Sequence, residues 1–232
     1  MHIHLPKPLH GWREFAGEVG IIVLGVLIAL GLDQIADQMR WRRKVDQSEA
    51  NMRVEIARDR TNAAEFSILA PCADAYMDRM VADLRAKNSA DLNKLYGIGA
   101  PFVREAWTAT AWDAAVASQI GDHMNATRFL DYAEAFRRAE LMRDWQLRLR
   151  QDYVTAMVGR YGINDASAFA TEITAAEMLR NDMTVARNTA EHFIVNATAL
   201  GIGPFPHRLA AYHAKEDACS RALESPAVLA ND

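Results

Sequence analysis

The chain is predicted to be all-α, with a single N-terminal transmembrane helix continuing into a long helix of an antiparallel helical bundle. Three observations predict this. Val19 to Leu32 reads VGIIVLGVLIALGL, with no charged or strongly polar side chain. Beyond it, apolar residues recur at spacings of three, four or seven, the period of an amphipathic helix. No stretch alternates apolar and polar residues convincingly enough to be a strand.

The fourteen residues of the run cover about 21 Å as a helix, short of the roughly 30 Å hydrocarbon core. The flanks lengthen it. A helix from Trp12 to Trp41 spans about 43 Å, the thickness of a bilayer with its headgroup layers, and puts a tryptophan at each interface. Phe15, Ile35 and Met39 extend the apolar surface, while Glu18 and Asp33 stand near the ends, where a charge costs less. The run is apolar on all faces, unlike the stripe of a globular helix. Ala29-Leu30-Gly31 loosely resembles a signal-peptide cleavage site, but Glu14 and Glu18 are atypical of the charged region that would precede it. Residues 12–41 therefore read as a span with interfacial ends, after a tail of residues 1–11.

Trp12, Arg40, Trp41, Arg42, Arg43 and Lys44 form the expected membrane-interface set, a basic collar suited to anionic headgroups. The positive-inside rule counts more Lys and Arg after the span than before it, which leans toward a cytoplasmic helical domain. The side of the membrane stays open, because short N-terminal anchors often leave their domain outside. Gly25 and Ala29 form a small-xxx-small pair of the kind that lets helices approach closely in lipid.

After the span, Val45, Met52, Ile56, Ala63, Phe66 and Leu69 predict that the helix continues to about Ala70, where Pro71 breaks or kinks it. Ala73, Tyr76, Met77, Met80, Val81 and Leu84 form a second stripe ending near Asn88. Ser89 would cap a short helix through Tyr96, and 97–101 reads as a loop. A helix from about Val103 to Ile120 would carry Trp107 and Trp112 and stop at Gly121. Phe129 or Leu130 to about Tyr161 reads as a helix of some thirty residues. Thr174-Ala175-Ala176-Glu177 matches a capping box, with the helix starting there or a turn earlier. Its face continues to Leu200, and Gly201-Ile202-Gly203-Pro204 ends it. A last helix runs from about Pro206 to Leu223. No linker divides residues 42–225, which read as one helical domain, and 226–232 read as a loose tail.

Two stretches carry a resemblance. One is Trp12-Arg13-Glu14-Phe15-Ala16-Gly17-Glu18 through Val19-Leu30, with Arg40-Trp41-Arg42 after it; the other is Thr110-Ala111-Trp112-Asp113-Ala114-Ala115-Val116-Ala117-Ser118. Together they resemble an uncharacterised family of small bacterial inner-membrane proteins with one N-terminal span and a helical domain. The resemblance covers about half the chain. It implies location and architecture, and carries no catalytic residues.

Composition excludes more than it assigns. The 232 residues hold 26 basic and 30 acidic side chains, net −4, so a dedicated nucleic-acid binder is not expected. Lys7 and Arg13 balance Glu14 and Glu18 in residues 1–32, so the whole net charge belongs to 33–232. Glu-x-x-His pairs, HExxH, the phosphate-binding lysine loop, the dinucleotide GxGxxG and the GxSxG elbow are all missing. No cofactor, metal or catalytic residue is assigned. His2, His4 and His10 make a poor metal site in a tail without carboxylates, His192 reads as a packed or partly exposed side chain beside the apolar face of its helix, and His207 and His213 do not share a face. Cys72 and Cys219 can pair only if the fold brings them together, and in a cytoplasmic domain they should be reduced. Trp112 and Asp113 form a candidate ligand pocket, with core packing around an exposed aspartate as the plainer reading.

The function expected is a membrane-anchored, non-enzymatic scaffold or accessory subunit, a homo-oligomer or part of a larger membrane complex. Gly25, Ala29 and the Val45–Phe66 helix would form its contact surface. The alternative is a membrane-anchored small-ligand sensor that signals through a partner.

Overall fold

A computed structural model describes residues 11–99, 106–157 and 166–224. Among these, six α-helices and one short 3-10 turn account for the regular structure: α1 (Gly11–Arg85), α2 (Ser89–Ile98), α3 (Thr110–Ala117), the turn at Ile120–His123, α4 (Ala126–Met157), α5 (Ala166–Ala199) and α6 (Pro206–Glu224). The all-α class is as predicted. The chain divides into two compact units, Met1–Gln47 and Ser48–Asp232, and α1 contributes to both.

Among the described residues of the first unit, nothing covers the apolar run of α1. Its side chains from Val19 to Leu30 are exposed around the whole circumference, and the most hydropathic 18-residue window has a mean hydropathy of 2.4 and none of it buried. By length and composition this helix can cross a membrane.

The second unit is built around residues 48–85 of α1. Neighbouring residues are buried in pairs (Cys72 with Ala73, Tyr76 with Met77, Met80 with Val81), so this part of the helix is covered on more than one face. Ion pairs give the directions. Asp74, Asp78 and Arg85 meet Arg187, Arg180 and Glu177, so α5 runs antiparallel to α1. Glu49 pairs with Arg128, and Tyr76 meets Tyr153 at 3.3 Å, so α4 runs parallel to it. Phe205 and Lys215 bond to Thr61 and Glu65, so the chain entering and forming α6 is parallel too. The bundle is thus antiparallel in part only, since α4 and α6 run parallel to α1.

Several boundaries move from their predicted places. The helix passes through Pro71 to Arg85 without a break. The proline removes one donor to the carbonyl four residues back, and burial of Leu69, Cys72, Ala73 and Tyr76 on either side outweighs that loss. Asn88, not Ser89, caps α2, its side chain accepting from the Asp91 N–H at 3.2 Å, and α2 runs on to Ile98. Trp107 lies ahead of α3, not on it, in a non-helical stretch of 106–109. α4 starts earlier than Phe129, with the Asn125 side chain accepting from the Arg128 N–H. α5 starts two turns before the capping box, leaving Thr174 inside the helix with its hydroxyl donating to the Ala170 carbonyl. Gly201, at φ +65°, ends α5 as predicted, with the Ile202 N–H reaching back to the Ala197 carbonyl. Pro206 opens α6. The expected end of α4 at Tyr161–Gly162, the tail after Pro226 and the N-terminal histidines lie outside the described residues.

Cys72 and Cys219 form a disulfide, with Cα atoms 6.0 Å apart. The thiols expected of a cytoplasmic domain are therefore not what this fold contains.

Candidate functional site

The densest concentration of polar chemistry lies on α1 between Glu55 and Glu65, inside the bundle. Glu55, Asp59 and Asn62 stand at i, i+4 and i+7 and share one helix face, with Thr61 and Glu65 beside them; all five are buried.

Glu55 is fully employed. Its carboxylate accepts from the backbone N–H of Thr110 at 3.1 Å and of Ala111 at 2.7 Å, from the Thr108 hydroxyl, and from Arg58 at 3.2 Å. Ala109, the N-cap residue of α3, has no side chain able to do this. The carboxylate of α1 thus caps α3 from a distance, at the helix end where negative charge is favoured.

Asp59 is different. It is fully buried, and neither carboxyl oxygen has a hydrogen-bond partner among the described residues; Arg58 Nε stands 3.7 Å away. Burial pushes its carboxyl up to about 8, with the Glu55 charge adding to the rise and Arg58 and the backbone at Thr108 opposing it. Near neutral pH the group is therefore mostly protonated. Asn62 donates weakly to the Ala106 carbonyl at 3.5 Å, and its own oxygen has no partner among the described residues. Glu65 accepts from Lys215 at 3.1 Å, and the lysine also lies over the Tyr212 ring.

Two cations finish the arrangement around the α5 terminus. Arg53 donates to the carbonyls of Leu200 and Gly201 at 3.1 Å each, and Arg60 donates to that of Ile202. These carbonyls belong to the turn that follows α5, so the two arginines tie that turn to α1 beside the negative end of the helix dipole. A further carboxyl perturbation joins α4 to α5, where burial, then a hydrogen bond with Asp182 and its charge, raise Asp152.

Of the residues the sequence singles out, Trp112 sits between Phe129 and Phe136, with ring centroids at 4.9 and 5.7 Å, while Asp113 is exposed. The chain's own aromatic rings thus pack against the Trp112 ring, Phe136 stacked and Phe129 tilted. Trp12 is exposed at the start of α1, and Gly25 and Ala29 are exposed within it, with open space where a Cβ on Gly25 would stand. In the collar, Arg40 pairs with Asp37 and the Lys44 ammonium lies 4.4 Å from the centre of the Trp41 ring; Arg42 and Arg43 are exposed. The Val45–Phe66 stripe, expected as a contact surface, is largely spent inside the second unit, with Met52, Ile56 and Ala63 fully buried.

The buried acidic stripe is not what periodicity suggests. Periodicity assigns Met52, Ile56 and Ala63 to the interior and so sends the charged residues between them to solvent. The i, i+4, i+7 spacing of Glu55, Asp59 and Asn62 is a stripe in its own right, and is the signal by which the sequence marks it.

Chemically, the stripe positions chain segments. Among the described residues no three His, Cys, Asp or Glu side chains are grouped to hold a metal ion. A shallow cleft, open to solvent, lies elsewhere, lined by Arg79, Asp91, Lys94, Leu95, Ile98 and Leu223. Its charges are already matched, Lys94 to Asp91 and Arg79 to Asp83. Comparison with family models, curated proteins and solved structures returns no match for this chain.

Proposed function

We propose that the protein is a single-pass, membrane-anchored accessory or scaffold subunit, without catalytic activity of its own, that associates with itself or with a larger membrane complex. One observation carries the reading: the segment from Val19 to Leu30 is apolar and exposed on every face of a helix that continues into a folded domain. Exposed apolar surface of that extent is costly in water and stable in lipid. The basic residues Arg40, Arg42, Arg43 and Lys44, with Trp41, then stand where anionic headgroups would meet them. The resemblance to small bacterial inner-membrane proteins agrees with this placement and makes a bacterial inner membrane the proposed location.

Association through the span is supported by Gly25 and Ala29, one turn apart with nothing packed on them. The Val45–Phe66 helix offers less to that contact, because Met52, Ile56 and Ala63 are buried in the domain core while Val54 stays exposed. The sensor reading draws less support, since Trp112 is stacked on its own neighbours and Asp113 points outward.

The test is cross-linking in native membranes, then purification in mild detergent. The expected result is a species larger than the monomer that weakens when Gly25→Leu and Ala29→Leu are combined. Monomer alone, with no copurifying subunit, rejects the proposal.

A further inference from the structure

We infer that the helical domain, residues 48–232, occupies an oxidising compartment on the non-cytoplasmic side of the membrane, with residues 1–11 on the cytoplasmic side. The assignment of sides rests on the anchored reading; the assignment of an oxidising compartment does not. The chain has two cysteines, and the fold brings both together across 147 residues of sequence to join α1 and α6. A Cα separation of 6.0 Å is in the range a disulfide requires. Such structural bonds persist outside the reducing cytosol.

The collar argues for the opposite orientation under the positive-inside rule, and the disulfide outweighs it for two reasons. The rule is strong for short loops, whereas long segments and domains cross largely regardless of charge, and the chain beyond this span forms a domain of that kind. Arg53, one of the cations that would be counted, is also tied to the carbonyls of Leu200 and Gly201 within the fold.

The bond requires a partner reaction. Two thiols lose two protons and two electrons as the S–S bond forms, and the acceptor must be a protein disulfide of the thiol-oxidase class. One cysteine thiolate attacks that disulfide to give a mixed disulfide; the second displaces it, and the oxidase leaves as a dithiol. Cys72 is only 1% exposed, so this exchange precedes the docking of α6 on α1. Once folded, the Cys72 side of the bond is buried, while Cys219 is half-buried.

The full chain, expressed in a bacterial host, tests the inference in two ways. Thiols are trapped by acid in intact cells and tagged with a polyethylene-glycol maleimide. The expected gel shift is none before reduction and two tags after denaturing reduction, changing to two tags without reduction in a host lacking its extracytoplasmic thiol oxidase. Separately, fusion after Asp232 to alkaline phosphatase should give an active enzyme, and fusion to a green fluorescent protein a dark one. Two tags in unreduced wild-type cells, or a fluorescent fusion with inactive phosphatase, overturns the inference. Carbonate extraction distinguishes the anchored reading: a protein released to the supernatant with its thiols blocked sinks the anchor and leaves the compartment standing.

Discussion

The carboxylate of Glu55 in the middle of α1 accepts the backbone N–H of Ala111 at 2.7 Å and so supplies the N-terminal cap of a helix 56 positions away. The same carboxylate takes the Thr110 N–H and the Thr108 hydroxyl. Replacing Glu55 with Ala strands these donors in a buried setting. We expect a loss of about 2–4 kcal/mol, with roughly half of it recovered by Glu55→Gln, which keeps one acceptor oxygen. Urea unfolding of the detergent-solubilised chain measures both; equal stabilities for the three proteins would refute the cap.

Asp59 gives the fold a pH dependence of definite sign. Its folded value, about 8, lies above the roughly 3.9 of an unfolded aspartate. Between those values the folded state holds a proton that the unfolded state has released. Stability therefore falls as pH rises through that window, by up to about 1.4 kcal/mol per unit, and the slope vanishes above the folded value. The raised Asp152 adds a slope of the same sign. Asp59→Asn should flatten the curve and be more stable than wild type at pH 9. An unchanged slope between pH 5 and 8 would show that Asp59 ionises normally.

Reduction of the Cys72–Cys219 bond, or its replacement by Ser at both positions, frees a loop of 147 residues in the unfolded chain. The expected cost is about 2–5 kcal/mol, seen as a lower unfolding midpoint. In native buffer a mild thiol reductant should cleave the bond more slowly than in denaturant, since Cys72 is buried and only Cys219 is half-buried. Equal rates with and without denaturant would show that the folded chain does not protect the bond.

Two glycines should respond oppositely to alanine. At Gly121 an added Cβ would stand 2.9 Å from the ring of Phe129, which packs at a tilt against Trp112, so Gly121→Ala must push that ring aside. We expect a loss of about 1–3 kcal/mol. At Gly97, inside α2, the same atom meets open space, and Gly97→Ala should gain about 0.5–1 kcal/mol. Thermal unfolding of the pair compares them directly, and a stabilising Gly121→Ala would mean that the Phe129 contact is loose.

Helical content and the apolar segment are legible because each is a local property. Fourteen uncharged residues announce themselves in any window, and spacings of three and four survive whatever the helix packs against. Termini read well where a backbone requirement decides them, as at Gly201 and Pro206. They read poorly where packing overrides a local signal. Pro71 sits inside a helix whose flanking residues are buried, and the capping box at Thr174 is passed over because α5 continues on both sides of it. Periodicity puts Trp107 on a helix that starts three residues later, where a carboxylate of α1 holds the first N–H groups.

The candidate site is harder to see for the same reason. A helix with one buried face hides a single stripe, and periodicity assumes such a helix. From Met52 onward α1 is enclosed on more than one face, so Glu55, Asp59 and Asn62 go inside along with Met52 and Ile56. Residues 1–232 taken in order are enough to establish a helical chain with one segment suited to lipid, since hydropathy and period depend on neighbours within a few turns. The pairing of Cys72 with Cys219, the capping of α3 by Glu55 and the burial of Asp59 join positions dozens of residues apart. They exist only once the helices have chosen their partners, because an unfolded chain holds no fixed distance between such groups.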